Sequence, residues 1–79
     1  MSPESLVEHL ARALVDRDDA VTVTSRDEGG QLVVELRVAR DDLGKVIGRA
    51  GQTARALRTV LHAASSQAQR RCVLNIIED

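Results

Sequence analysis

Leu32, Val34, Leu36 and Val38 alternate with Val33, Glu35 and Arg37, the clearest polar and apolar rhythm in the chain. A period of two puts the first four on one face, so this stretch predicts a strand with one side buried. Val21 and Val23 alternate with Thr22 and Thr24 and predict a strand just upstream. Glu28-Gly29-Gly30-Gln31 lies between them and reads as a tight turn, because two glycines take positive φ at little cost. Further on, Cys72, Leu74 and Ile76 alternate with Val73, Asn75 and Ile77 as a closing strand.

Elsewhere the spacing is helical. Leu6, Leu10 and Leu14 recur every fourth residue with Val7 and Ala11 beside them. Ser2-Pro3-Glu4 supplies that helix with an N-cap, a proline at its first position and an acid in its first turn. The acids between Asp16 and Asp19 end it. Asp41 and Asp42 are placed to cap a short helix through about Ile47, which Gly48 and Gly51 terminate. Gln52 opens a longer helix with Ala54, Leu57, Leu61 and Ala64 on its buried face, and Arg55, Arg58 and His62 opposite. Ser65 to Gln69 reads as a polar loop.

The order is α-β-β-α-α-β. The first two strands form an antiparallel hairpin, and the third follows a crossover of about thirty residues, so it should lie parallel to the second. The expected architecture is a two-layer α+β sandwich, a three-stranded mixed sheet with three helices on one face.

The 79 residues fit a single domain, 1–79. With no Phe, Tyr or Trp, the core must be aliphatic. Cys72 is alone, which excludes an intramolecular disulfide and a thiolate zinc site and fits a reducing compartment. The stretch MSPESLVEHLARALV has two glutamates where a secretion signal carries lysines, and no segment approaches the roughly 20 apolar residues of a bilayer span. A soluble cytoplasmic protein is expected. His9 and His62 have no partner at ligand spacing, and no nucleophile, base and orienting acid stand together, so neither metal, cofactor nor catalytic residues are expected.

Charge is segregated. Residues 1–30 hold seven acids against three arginines, whereas residues 31–79 hold eight bases against five acids. Between Gly44 and Ile77 there are six bases, Lys45, Arg49, Arg55, Arg58, Arg70 and Arg71, and no acid. Such a surface attracts a polyanion even when the net charge is −1, although a solvated helix face is the commoner cause of a charge run.

The basic segment surrounds a break, Gly48-Arg49-Ala50-Gly51, between two helices. Glycine permits a sharp turn and close approach of another backbone. The helix that begins at Gln52 points unpaired N–H groups and its dipole at the turn, which favours an anion. Arg49 at the tip, and Lys45 one turn before Gly48, stand ready to add charge-assisted contacts. A nucleotide P-loop requires Lys after its last glycine, and here Gln52-Thr53 follows, so nucleotide hydrolysis is disfavoured. An ordinary inter-helix turn is the plain alternative.

Val46-Ile47-Gly48-Arg49-Ala50-Gly51 resembles the V-I-G-x-x-G signature of the KH domain, whose loop grips the backbone of a four-nucleotide single strand. The element order resembles the type II, prokaryotic arrangement of that fold. LVEHLARALV, LRVARDDLGKVIGRAGQTARALRTVL and VLNIIED are similar to the small bacterial KhpA family. The resemblance covers essentially the whole chain. It implies a non-catalytic protein that binds single-stranded RNA, a probable RNA chaperone or post-transcriptional regulator. It also implies a larger KH-containing partner of the KhpB kind, or a second copy as a homodimer, and a link to cell-wall synthesis and cell shape.

Carried across, the resemblance makes Gly48, Arg49, Ala50 and Gly51 the backbone clamp, flanked by Lys45 and Gln52. Val46, Ile47, Ala54 and Leu57 become the groove floor, with Val73 to Asn75 at the strand edge and Ser65 to Arg70 as the variable loop. Arg55 and Arg58, read from the charge run, are expected near the nucleic acid, with a solvated helix face as the alternative. Many KH domains carry Ile or Leu at the position of Ala54, so this floor is smaller. RRM, OB-fold and cold-shock modules commonly stack bases on aromatic rings, which this chain lacks. A helix-hairpin-helix grip on duplex DNA and a protein-docking module are the rivals. Competition between single-stranded RNA and duplex DNA tests the first, and pull-down before and after nuclease treatment tests the second.

Overall fold

The alternating stretch becomes β2 (Gln31–Arg37), the middle strand of a three-stranded sheet in a computed structural model that describes residues 2–78. Met1 and Asp79, the two ends of the expected domain, lie outside the described residues, as do the side chains of Gln67 and Ala68. β1 (Thr22–Glu28) pairs antiparallel with β2, Val23 opposite Leu36 and Ser25 opposite Val34. β3 (Cys72–Ile76) pairs parallel on the other side, Val34 with Leu74 and Leu36 with Ile76. The crossover argument thus gave the right direction for β3.

Three helices cover one face: α1 (Pro3–Leu14), α2 (Leu43–Ile47) and α3 (Gln52–Ala68). Val7 and Ala11 of α1, Val46 of α2 and Ala54, Leu57 and Leu61 of α3 close over Val34, Leu36, Cys72, Leu74 and Ile76. Burial of each Leu, Val or Ile there contributes about 1.5–3 kcal/mol. The other face carries Arg26, Glu35, Val33 and Val73. Arg26 bridges Glu28 at 2.8 Å and Glu35 at 2.6 Å, holding the Glu35 carboxyl below its usual range. Val33 is only 6% exposed on that uncovered face, between its register neighbours Arg26 and Val73.

Local chemistry explains the ends. Ser2 caps α1 as expected, its Oγ accepting the Ser5 N–H at 3.1 Å. The buried stripe of α1 is centred on Val7 and Ala11 instead of the leucine row, and Leu14 is left 39% exposed. The polar loop expected from Ser65 to Gln69 is helix as far as Ala68. Nothing in His62-Ala63-Ala64-Ser65-Ser66 breaks a helix, and the Ser65 hydroxyl folds back to donate to the Leu61 carbonyl at 3.3 Å. The helix stops at Gln69, in left-handed conformation at φ 57°.

Candidate nucleic-acid interface

Gly48 ends α2 with φ 78° and ψ 172°, a region open in practice to glycine alone. Its neighbours add a steric reason. A Cβ there would lie 2.2 Å from Thr53 Oγ1 and 2.8 Å from the Thr53 backbone nitrogen. Gly48 therefore packs directly under the first turn of α3. Thr53 was absent from the sequence-derived site, since its spacing carries no signal until the two helices are placed. Gly51 differs, with φ 75° but nothing within 4 Å of where its Cβ would sit. Ala50 is also left-handed, at φ 55°. Holding an alanine so costs about 1–2 kcal/mol.

These angles turn Gly48-Arg49-Ala50-Gly51 into one 3-10 turn, Arg49–Gly51, with Arg49 and Ala50 exposed at its tip. The turn uses some of its own donors. The Gly51 N–H donates to the Gly48 carbonyl at 3.1 Å, and the Gln52 N–H to the Arg49 carbonyl. The remaining attraction for an anion therefore rests on the first turn of α3 and on the arginines.

Arg49, Arg55 and Arg58 are exposed and form no ion pair with the described residues. Other cations are tied down, Arg12 to Glu8, Arg26 to Glu28 and Glu35, and Arg70 to Asp27, whereas Arg17, Arg40 and Arg71 are also exposed without an ion pair among the described residues. Lys45 belongs with the paired set. Its ammonium binds Asp16 and, at 3.1 Å, Asp42, and these carboxylates raise its pKa. Lys45, expected beside the phosphate, thus stands in an ion pair with two carboxylates, unlike Arg49, Arg55 and Arg58.

Asp42 does not cap its helix either. Arg40–Asp42 is a 3-10 turn, and Asp42 makes no side-chain cap bond. Its carboxylate is buried, 2% exposed, and accepts the Arg17 backbone N–H at 3.0 Å together with the Lys45 ammonium. The Arg17 N–H is the main reason its pKa falls below the usual carboxylate range, with Lys45 adding to it and desolvation opposing.

The expected groove floor also changes. Val46, Ala54 and Leu57 belong to the core, and of the four floor residues only Ile47 keeps partial exposure. On β3, Leu74 points into the core, while Val73 and Asn75 lie on the uncovered face. An apolar seam opens instead between α1 and α3, about 250 Å³ in volume and lined by Leu10, Leu14, Thr53, Ala56, Leu57 and Val60. Among the described residues no group of three His, Cys, Asp or Glu side chains is placed to hold a metal, and Cys72 is buried. No described helix is long and apolar enough to cross a membrane.

Comparison with known proteins bears on this arrangement. The family described as KhpA/KhpB, KH domain, matches residues 4–76. The protein named RNA-binding protein KhpA from Halalkalibacterium halodurans is 52% identical over 75 residues, 95% of this chain and 99% of that protein. Its namesake from Treponema pallidum is 51% identical over 75 residues, 95% and 94% of the two chains. That from Streptomyces coelicolor is 52% identical over 67 residues, 85% of each. Among solved structures, an Era variant from Aquifex aeolicus bound to GDP·AlF4− superposes with a TM-score of 0.64 at 19% identity. It covers 94% of this chain and 29% of that one, and at this identity the likeness is one of fold.

Proposed function

The chain belongs to the KhpA/KhpB KH-domain family, and from that premise we propose that it is a non-catalytic protein that binds single-stranded RNA through the 48–51 loop. Relatives alike over nearly their whole length are named RNA-binding proteins. The observation that supports the assignment to this loop is the exposed turn over the confined Gly48, beside three exposed arginines with no acidic partner among the described residues. Glycine lets a sugar-phosphate backbone approach, the first turn of α3 and Arg49 meet one phosphate, and Arg55 and Arg58 follow the strand along the helix. Ile47 is the floor residue left to meet a base, so readout of sequence is shallow.

One module makes few phosphate contacts, and its binding is correspondingly weak and salt-sensitive. A second KH surface raises it through effective concentration. The exposed Leu14 and Val60, 39% and 40% exposed at the α1/α3 seam, support a contact with a KhpB-like partner or a second copy. In this reading residues 1–79 act as one cytoplasmic domain, an RNA chaperone or post-transcriptional regulator, with the family's tie to cell-wall synthesis and cell shape downstream of its RNA targets.

The test is the double variant Arg49→Asp with Ala50→Asp, titrated against a labelled unstructured RNA with duplex DNA as competitor. Both positions are exposed, so melting should stay near that of the wild type while RNA affinity falls at least about tenfold, each 1.4 kcal/mol being one decade. Wild-type affinity in the folded double variant removes the loop from the interface. Preferential displacement of the RNA by duplex DNA replaces single-strand binding with the duplex reading.

A further inference from the structure

Asp42 is the one buried charged side chain among the described residues. A carboxylate out of water persists only when its oxygens are paired, and here the partners come from separate parts of the chain. One oxygen accepts the Arg17 backbone N–H at 3.0 Å, in the link between α1 and β1. The other accepts the Lys45 ammonium at 3.1 Å, in the first turn of α2. Lys45 also binds Asp16, the residue before Arg17. The link and the start of α2 are therefore stapled together at one point.

α2 needs that staple. It is five residues long, and a helix of that length has too few hydrogen bonds to hold itself. Val46 is its one fully buried side chain, with Leu43 and Ile47 partly covered. That is little apolar anchorage for a helix, and the staple adds a polar one at its start. Gly48, at the far end of α2, is bonded into both the helix and the turn: its N–H donates to the Gly44 carbonyl at 2.8 Å, and its carbonyl accepts the Gly51 N–H at 3.1 Å. A tilt of α2 is thus passed directly to the 48–51 turn.

We propose that Asp42 is a positioning residue for the 48–51 loop: through Lys45 and the Arg17 N–H it fixes the tilt of α2 and so holds the loop in the shape that receives an RNA backbone. The inference rests on the RNA-binding reading above. Asp42 touches no RNA and acts only through α2. The pull of the Arg17 N–H on its pKa keeps it ionised, so the staple persists at neutral pH.

Two variants test it. Asp42→Asn keeps the size and an acceptor for the Arg17 N–H but loses the charge that holds Lys45, and Lys45→Met keeps the aliphatic stem without the ammonium. Each is titrated with a short unstructured RNA at a temperature where circular dichroism shows it folded. Each is expected to weaken binding about fivefold, within the range that coupled positions exert at a distance. The amide resonances of Gly48 and Gly51 should shift, and the double variant should bind no worse than the weaker single one. The salt dependence should not change, because no phosphate contact is lost. A purely structural Asp42 would lower the melting temperature and leave the affinity and those resonances of the folded protein untouched, and that result overturns the proposal. So does a reduced salt slope in Lys45→Met alone, which makes Lys45 a phosphate ligand. Should Asp42→Asn not fold, Lys45→Met decides by the same readings. The Arg49→Asp, Ala50→Asp variant separates the two levels: if it binds RNA normally the loop reading fails and this inference with it, whereas if it loses RNA while Asp42→Asn does not, only this inference fails.

Discussion

The chain turns on a glycine pair twice, and the two turns have little in common beyond composition. At the hairpin, Gly29 and Gly30 take φ of 61° and 84° with nothing within 4 Å of either missing Cβ. The charges around that turn are matched, Arg26 with Glu28 and Glu35, Asp27 with Arg70. At the inter-helix turn, Gly48 is pressed against Thr53, and Arg49, Arg55 and Arg58 meet no acid among the described residues. A glycine pair by itself marks only a change of direction. Confinement of one glycine beside exposed arginines sets the second turn apart from the first, and the proposed RNA contact rests on that difference.

Gly48→Ala should break the contrast hardest. The added methyl meets the Thr53 backbone, and the residue keeps a backbone conformation that alanine resists, so a loss of about 3 kcal/mol or more is expected in urea unfolding. RNA binding at a temperature where the variant is still folded should fall with it. Arg55→Gln with Arg58→Gln sharpens the electrostatic half. Stability should move by less than about 0.5 kcal/mol. The slope of log affinity against log salt should drop by about 1.4 if both side chains meet phosphates, at about 0.7 per contact on a single strand. The smallest effect belongs to the hairpin. Gly29→Asn enters open space at an angle asparagine tolerates, and should change stability by under about 1 kcal/mol and RNA affinity not at all. A large loss of RNA binding in that variant would erase the distinction between the turns.

Periodicity carried most of the fold because each element buries one face. The rhythm of Leu32 to Val38, the leucine spacing of α1 and the long crossover over residues 38–71 were enough for the helix and strand order and for the parallel pairing of β3. Where one-dimensional pattern met three-dimensional competition it misled. Ser65 and Ser66 look like loop residues, yet a serine that bonds back to the preceding turn stays helical. Asp42 sits where a cap belongs, but the Arg17 N–H and Lys45, which the fold brings in from the side, bind it more completely than the helix end can. The loop itself was legible from its glycines and its charge. Thr53, the reason Gly48 cannot be anything else, was not, because contact between consecutive helices leaves no periodic trace.

The parallel pairing of β2 with β3 has a consequence in time. β1 and β2 close across two residues and can pair as soon as they are made, whereas β3 has to return over residues 38–71 to reach its place. α2, the 48–51 turn and α3 all lie inside that excursion, and a helix as short as α2 does not persist by itself. On a growing chain the hairpin can therefore form early, whereas the parallel pair must wait until Cys72–Ile76 has been made.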